Sequence, residues 1–312
     1  MNGLLRHLVV GLAIAASVLT PRESAAVAYS VDPASALDPS ALYRLGAALD
    51  SSAASLGLQS GDNMTSITTG VVGNVQTYFS VDRTSTGVTG SAVRAMSVTG
   101  GQAASVFYAG SADCTPNCLV AAPALLGLGT GDNIDALMGF GMGFASTNFF
   151  FTLGRDSPTL ATLGASSADI LLHRADGSLS IALTAAALGL TTSDAIDALE
   201  VNYPGLITDG PFTIPEGADL RYSLDRASPT LGGLYSPADL FVRHAGTWSS
   251  QTAASFGLEA TDNIDAIATN FVDPPCFNEP VECPEPASGL VIAMAVGALG
   301  LIRRHRPRAV RG

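Results

Sequence analysis

Four short acidic phrases hold most of the residues in this chain that could do chemistry at a fixed spacing. "GDNIDAL" begins at Gly131, "SDAIDAL" at Ser193 and "TDNIDAI" at Thr261, and a degraded copy, "GDNMTSI", begins at Gly61. The leading acids Asp62, Asp132, Asp194 and Asp262 lie 70, 62 and 68 residues apart. A second acid follows three positions later as Asp135, Asp197 and Asp265, whereas the degraded copy has Thr65 there. Two chemistries fit. In the first, Asp and Asn side chains bond nearby backbone N–H groups to make a turn, Ile134, Ile196 and Ile264 then enter the core, and Asp135, Asp197 and Asp265 cap the following strand. In the second, Asp132 with Asp135, Asp194 with Asp197, and Asp262 with Asp265 converge across the turn on Ca2+, which takes six to eight oxygen ligands. On a flat strand, residues three apart point to opposite faces, so the calcium reading needs a bend. The copy with Thr65 would make the weakest site. The chain lacks both the full EF-hand loop and the glycine-rich calcium nonapeptide.

Other recurring residues read as structural. Asp169 in "SSADIL" and Asp239 in "SPADLF" are turn acids leading into strands, and Arg83, Arg155 and Arg226 are positioned to pair with such acids. His173 and His244 follow their Asp by four and five residues, so the copies share no histidine position. There is no G-x-S-x-G elbow, H-E-x-x-H helix or phosphate-binding loop, and no catalytic residue is assigned. The many Asp residues leave a carboxylate pair for glycoside hydrolysis as the alternative activity. A single tryptophan, Trp248, and 6% aromatic residues argue against a large sugar-stacking surface.

The secondary structure around these residues repeats with them. Residues 151–199 align with 222–267, and "FSVDRTSTGVTG" from Phe79 and "YSVDPASALDPSALY" from Tyr29 open two further copies. Each copy has about four strand-like runs separated by turn chemistry, as in "LRYSLD", "ADLFVRH", the stretch around "SSQTAASFGL", and "NIDAIAT". Helical periodicity is absent except in the Ala-rich "IALTAAALGL". Four copies of a four-stranded unit predict an all-β fold closed as a four-bladed β-propeller over 29–271, since a ring protects strand edges. Paired β-sandwich domains are the alternative.

Composition narrows the partners. The chain has 312 residues, and its 15 basic residues are all Arg. The net charge is −12, but the span 29–302 holds 8 Arg against 26 acids, a net −18. Such a surface repels nucleic acid and attracts divalent cations.

Both ends read as addresses. Residues 1–28 place Arg6 and His7 before an apolar run, Leu8 to Leu19, and end in Ala26-Val27-Ala28, the layout of a secretory signal; "SAA" (24–26) is a rival cleavage site and a retained anchor the alternative. Residues 272–283 form a Cys/Pro linker. In 284–312, Pro284-Glu285-Pro286 precedes an apolar stretch, 287–302, and a terminal arginine cluster. Sixteen residues make a helix of about 24 Å, short for a membrane span, and the arginines would stay cytoplasmic. This three-part tail resembles the PEP-CTERM sorting signal of exported Gram-negative proteins. The resemblance, confined to about the last 30 residues, implies export, transient membrane anchoring and cutting near Pro284-Glu285-Pro286 by an exosortase-type membrane protease. It also implies a cell-surface or extracellular setting with exopolysaccharide or other envelope components as partners. Cys283 departs from the aliphatic residue common before the motif. The cysteines form two tight pairs, Cys114 with Cys118 and Cys276 with Cys283, expected as two local disulfides in an exported chain; a four-cysteine zinc site is the alternative. The sequence therefore points to an exported structural or binding module.

Overall fold

The computed structural model describes residues 27–69, 77–139, 148–202, 214, 218–244 and 247–269. Sixteen short strands form four antiparallel four-stranded sheets, arranged around a ring as the blades of a four-bladed β-propeller. Blade 1 contains β1 (Val27–Val31), β2 (Leu42–Arg44) and β3 (Ala48–Ser51), and its innermost strand is β16 (Ile264–Thr269) from the far end of the domain. Blade 2 is β4 (Met64–Thr69), β5 (Thr77–Val81), β6 (Val106–Ala109) and β7 (Cys118–Ala121). Blade 3 is β8 (Ile134–Gly139), β9 (Phe149–Leu153), β10 (Ile170–His173) and β11 (Leu179–Leu183). Blade 4 is β12 (Ile196–Asn202), β13 (Asp219–Leu224), β14 (Leu240–His244) and β15 (Thr247–Gln251).

Blades and sequence copies are offset by one strand. Each acidic phrase ends one sequence copy yet begins the next blade, so the last phrase supplies the strand that blade 1 lacks. Pairing of β16 with β1, from Val27↔Thr269 to Val31↔Ile264, closes the ring. The first strand starts two residues before the sequence-based boundary at Tyr29, because Val27 and Ala28 already pair with Thr269 and Ala268.

Four apolar clusters form the core, one at each blade–blade interface. Phe79, Phe107 and Met64 pack with Leu42 and Ala266 between blades 1 and 2. Phe149, Phe151 and Leu171 pack with Tyr78 and Leu126 between blades 2 and 3. Equivalent layers join blade 3 to 4 and blade 4 to 1. Small residues on the inner strands, Ala136, Ala198 and Ala266, are buried within these interface clusters.

The connection from each outer strand to the next inner strand is one short helical turn. Ala53–Leu56, Pro123–Leu126, Ala185–Leu188 and Ala253–Phe256 end at Gly57, Gly127, Gly189 and Gly257, all left-handed with φ between 69° and 77°. A glycine in this position ends a helical turn without Cβ strain, which explains the "LGL" and "FGL" that precede each acidic phrase. The Ala-rich segment expected as a helix divides instead into β11 and one such turn. Cys114 and Cys118 are disulfide-bonded, with Cα atoms 5.1 Å apart, in the β6–β7 connection. Cys276, Cys283, the sorting motif and the apolar stretch 287–302 lie outside the described residues. Among those described, no helix is long and apolar enough to cross a membrane.

Candidate functional site

The four inner strands β16, β4, β8 and β12 surround the propeller axis, and their first residues lie at one end of it. The two acids of each phrase go to different places there. The leading acids are staples. Asp132 accepts hydrogen bonds from Gly129 N (2.7 Å), Thr159 N (3.0 Å) and Thr159 Oγ1 (2.7 Å). Asp194 accepts from the backbone N and Oγ1 of both Thr191 and Thr230, at 2.7–2.9 Å. Asp62 accepts from Gln59, Thr86 and Gly87, and Asp262 from Glu259. Burial pushes the Asp194 carboxyl up, but the donors from Thr230 and Thr191 outweigh it and hold the group below its ordinary value. Replacing Asp194 by Ala strands these donors, so Asp194→Ala should cost roughly 3 kcal/mol or more, measured by urea denaturation.

The second acids face the axis because each inner strand carries a β-bulge. Ile134 pairs with Leu153 and Ala136 with Thr152, so Asp135 is the extra residue. The same shift leaves Asp197, Asp265 and Thr65 as the bulged residues of β12, β16 and β4. A bulge re-aims one side chain while its neighbours keep the core register. Ile134, Ile196 and Ile264 therefore stay fully buried between blades, as the turn reading expects. The three-apart pairs do not converge: Asp132, Asp194 and Asp262 are tied to loop amides, whereas Asp197 and Asp265 enter a shared axial network and Asp135 bonds the asparagine of its own phrase.

That network is built from the asparagines of the phrases. Asn263 Nδ2 donates to both Asp197 Oδ2 (2.7 Å) and Asp265 Oδ1 (2.8 Å), and Asn63 Nδ2 donates to Asp265 Oδ2 (2.8 Å). Asn133 Nδ2 donates to Asp135 Oδ1. One amide nitrogen thus bridges two carboxylates from neighbouring blades. Burial raises all three carboxyls. Asp135 is pushed up to about 7 by burial and by Asp225, against the opposing pull of Arg83 and Arg155. Burial together with the neighbouring acids raises Asp197 and Asp265 well above the carboxylate range.

Thr65 has a different job. At each blade interface one hydroxyl donates to the first-residue carbonyl of the next inner strand: Ser30 to Met64, Thr152 to Ile196, and Ser223 to Ile264. In blade 2 the corresponding Ser80 bonds within its own blade, to Ser105 O, and Thr65 donates to Ile134 O instead.

Arginines lock the rim. Arg155 donates to Ser193 O and Asp225 (2.9 Å), and Arg226 to Thr261 O (2.5 Å) and Asp32 (2.8 Å), each reaching the next blade. Arg83 donates to Gly131 O (2.5 Å), but the position matching Asp32 and Asp225 in blade 3 is Gly154, so its acid is Asp156 at 4.0 Å. Gly154 and Ala195, the latter in place of an Asn, border a cavity of about 200 Å³ with Arg83, Asn133, Asp135, Arg155, Asp156 and Asp225. A Cβ at Gly154 would lie 3.0 Å from Asp135 Oδ2. Two departures from the repeat thus open the axis beside Asp135.

Asp169 and Asp239 are turn acids, bonded to Ser166 N and Ala185 N and to Ser236 N and Ala253 N. His173 is buried against Phe149 and Leu125 O, away from the axis. Among the described residues no three His, Cys, Asp or Glu side chains lie close enough to grip one metal ion directly. The chain matches no protein-family model, no curated protein and no solved structure.

Proposed function

We propose that this chain is an exported structural or binding module of the envelope or extracellular matrix of a Gram-negative cell, carried there by its signal-like start and PEP-CTERM-like tail. One observation carries the module reading: the recurring polar residues are consumed in fastening one blade to the next. Asp132, Asp194, Arg155 and Arg226 hold loops and rims, and their repetition follows the repeated joint. A rigid ring of this kind offers a binding face without moving parts, and its acidity suits neutral or cationic partners in an exopolysaccharide matrix.

The glycan-hydrolase alternative has one feature in its favour. Asp135 and Asp225 come from non-equivalent positions, line the same cavity, and differ in environment, with Asp135 raised to about 7. The cavity of about 200 Å³ is smaller than the roughly 300–1,000 Å³ of usual ligand pockets, so the module reading is preferred.

Fractionation of a producing cell tests the address. With an exosortase present, the protein should be recovered at the cell surface or in the medium without its arginine tail. Without one, it should stay in the membrane fraction. Intact mass should place the mature start at Val27 or Tyr29, and a start at Val27 keeps the two residues that pair with Thr269 and Ala268 in β1. Uncut chain in the medium of an exosortase-positive host would overturn the reading.

A further inference from the structure

We propose that the propeller axis holds one hydrated divalent cation of calcium type, held partly through water by Asp135, Asp197 and Asp265 together with the amide oxygens of Asn63, Asn133 and Asn263. This ligand set differs from the three-apart acid pairs that the phrase alone suggests, and the proposal does not depend on where the protein is delivered.

Two independent observations carry it. The first is charge. Asp197 and Asp265 share the Asn263 amide, Asp135 on the neighbouring inner strand is held by Asn133, and the donors bonded to these three carboxylates are the neutral amides of Asn63, Asn133 and Asn263. The chain has no lysine to neutralise them. Arg83 and Arg155 stand at the cavity beside Asp135, with their hydrogen bonds directed to Gly131 and to Ser193 and Asp225. Buried carboxylates without a counter-charge are costly, and a bound cation removes that cost.

The second observation is the orphaned oxygens. Asn63 is 7% exposed and Asn263 is 3% exposed, and the Oδ1 of each is buried without a hydrogen-bond partner. Asn133 Oδ1 is in the same state. Each belongs to a carboxamide whose nitrogen end already touches an axial carboxylate, so the amides sit inside the acidic ring with their acceptor ends unanswered. Placing an oxygen where each nitrogen stands would leave two acceptors facing each other. Buried amide oxygens in a native fold normally find a partner, and a group that answers three acceptors beside three carboxylates must be positively charged or rich in donors.

The cation class follows from the donor set. All six groups offer oxygen, the choice of a hard cation such as calcium or magnesium and not of zinc. The carboxylates are too widely spaced for three to touch one ion. Asn263 Nδ2 alone spans from Asp197 to Asp265, which allows those two oxygens to be up to 5.5 Å apart. Part of the shell is therefore water, and calcium tolerates such an irregular shell better than magnesium. The cavity beside Gly154 and Ala195 gives the ion a route to Asp135 from solvent.

The test is calorimetric titration of CaCl2 into chelator-treated full-length protein, with melting temperature as a second readout. One ion per chain is expected, with a Kd of roughly 10⁻⁴ to 10⁻³ M or tighter, as in extracellular calcium modules. Calcium should raise the melting temperature beyond NaCl of equal ionic strength. Asp265→Asn should weaken binding at least tenfold, and Asn263→Ala, which removes an orphaned oxygen without changing charge, should weaken it as well. Asp176→Asn, on the exposed β10–β11 turn, is the control for general surface charge and should leave affinity unchanged. Should Asn263→Ala fail to fold, Asn63→Ala makes the same comparison. Equal shifts in calcium and matched NaCl with no saturable heat, or equal losses from Asp265→Asn and Asp176→Asn, would overturn the axial site.

Discussion

A chain ending at residue 263, cut just before β16, should fail to fold, whereas one ending at residue 271 should unfold cooperatively. The difference comes from ring closure. Val27 to Val31 have their inner-side partners on β16, so truncation exposes the backbone edge of β1. Ile264 and Ile267 leave the cluster between blades 4 and 1, while Ala266 and Ala268 leave the cluster between blades 1 and 2. Each fully buried isoleucine contributes on the order of 1.5–3 kcal/mol, and two of the four interfaces are opened together. With the lost β1 pairing and the two alanines added, the loss takes up most of a net stability of about 5–15 kcal/mol. Circular dichroism with a thermal or urea scan on both truncations decides it. A cooperative melt of the 263 chain near that of the 271 chain would show that three complete blades suffice.

The second large effect is an inverted pH dependence in the absence of divalent cations. The chelated protein should become more stable as pH falls from 8 towards 5, and lose stability only below about 4. Asp135 on β8, Asp197 on β12 and Asp265 on β16 all have folded-state values raised by burial and mutual repulsion, with Asp225, Asp32 and Asp82 as further acids and Arg83 and Arg155 opposing at Asp135. A raised acid binds more protons folded than unfolded, so stability falls as pH rises between the two values. For Asp135 the window runs from 3.8 to about 7, worth on the order of 4 kcal/mol by 1.36 kcal/mol per pH unit. Asp194 acts in the opposite sense. Its lowered value contributes stability above about 3.8 that disappears as pH falls through the folded value, which sets the acid limit. Melting temperatures in chelator across pH 3–8 give the profile, and the double variant Asp197→Asn, Asp265→Asn should flatten its upper part. A plateau from pH 5 to 8 in the parent protein would rule out the buried-acid account.

The kind of element and the fourfold repeat were legible in the residues alone. Strand-like alternation, turn residues and the fourfold acidic phrase were enough to read sixteen short strands in four blades, because local propensity and repetition act over a few residues at a time. The leading acids were also legible: an Asp three residues after Gln59, Gly129, Thr191 or Glu259 reaches back to that backbone N–H.

Tertiary structure decided everything that depends on bringing distant copies together. An acid three positions further on reads as facing away from its partner on a flat strand, and only the bulge opposite Val31, Val81, Leu153 and Leu224 turns that position to the axis. The offset between copy and blade could not be read either, since it exists only once β16 has returned to β1. Thr65 appears in the sequence as a damaged acid, yet in the ring it makes an interface bond to Ile134 that Ser80 does not. Gly154 and Ala195 look like ordinary drift between copies. They matter because a ring sets residues 41 positions apart beside one carboxylate, and the missing carboxylate at Gly154 and missing amide at Ala195 leave a cavity there.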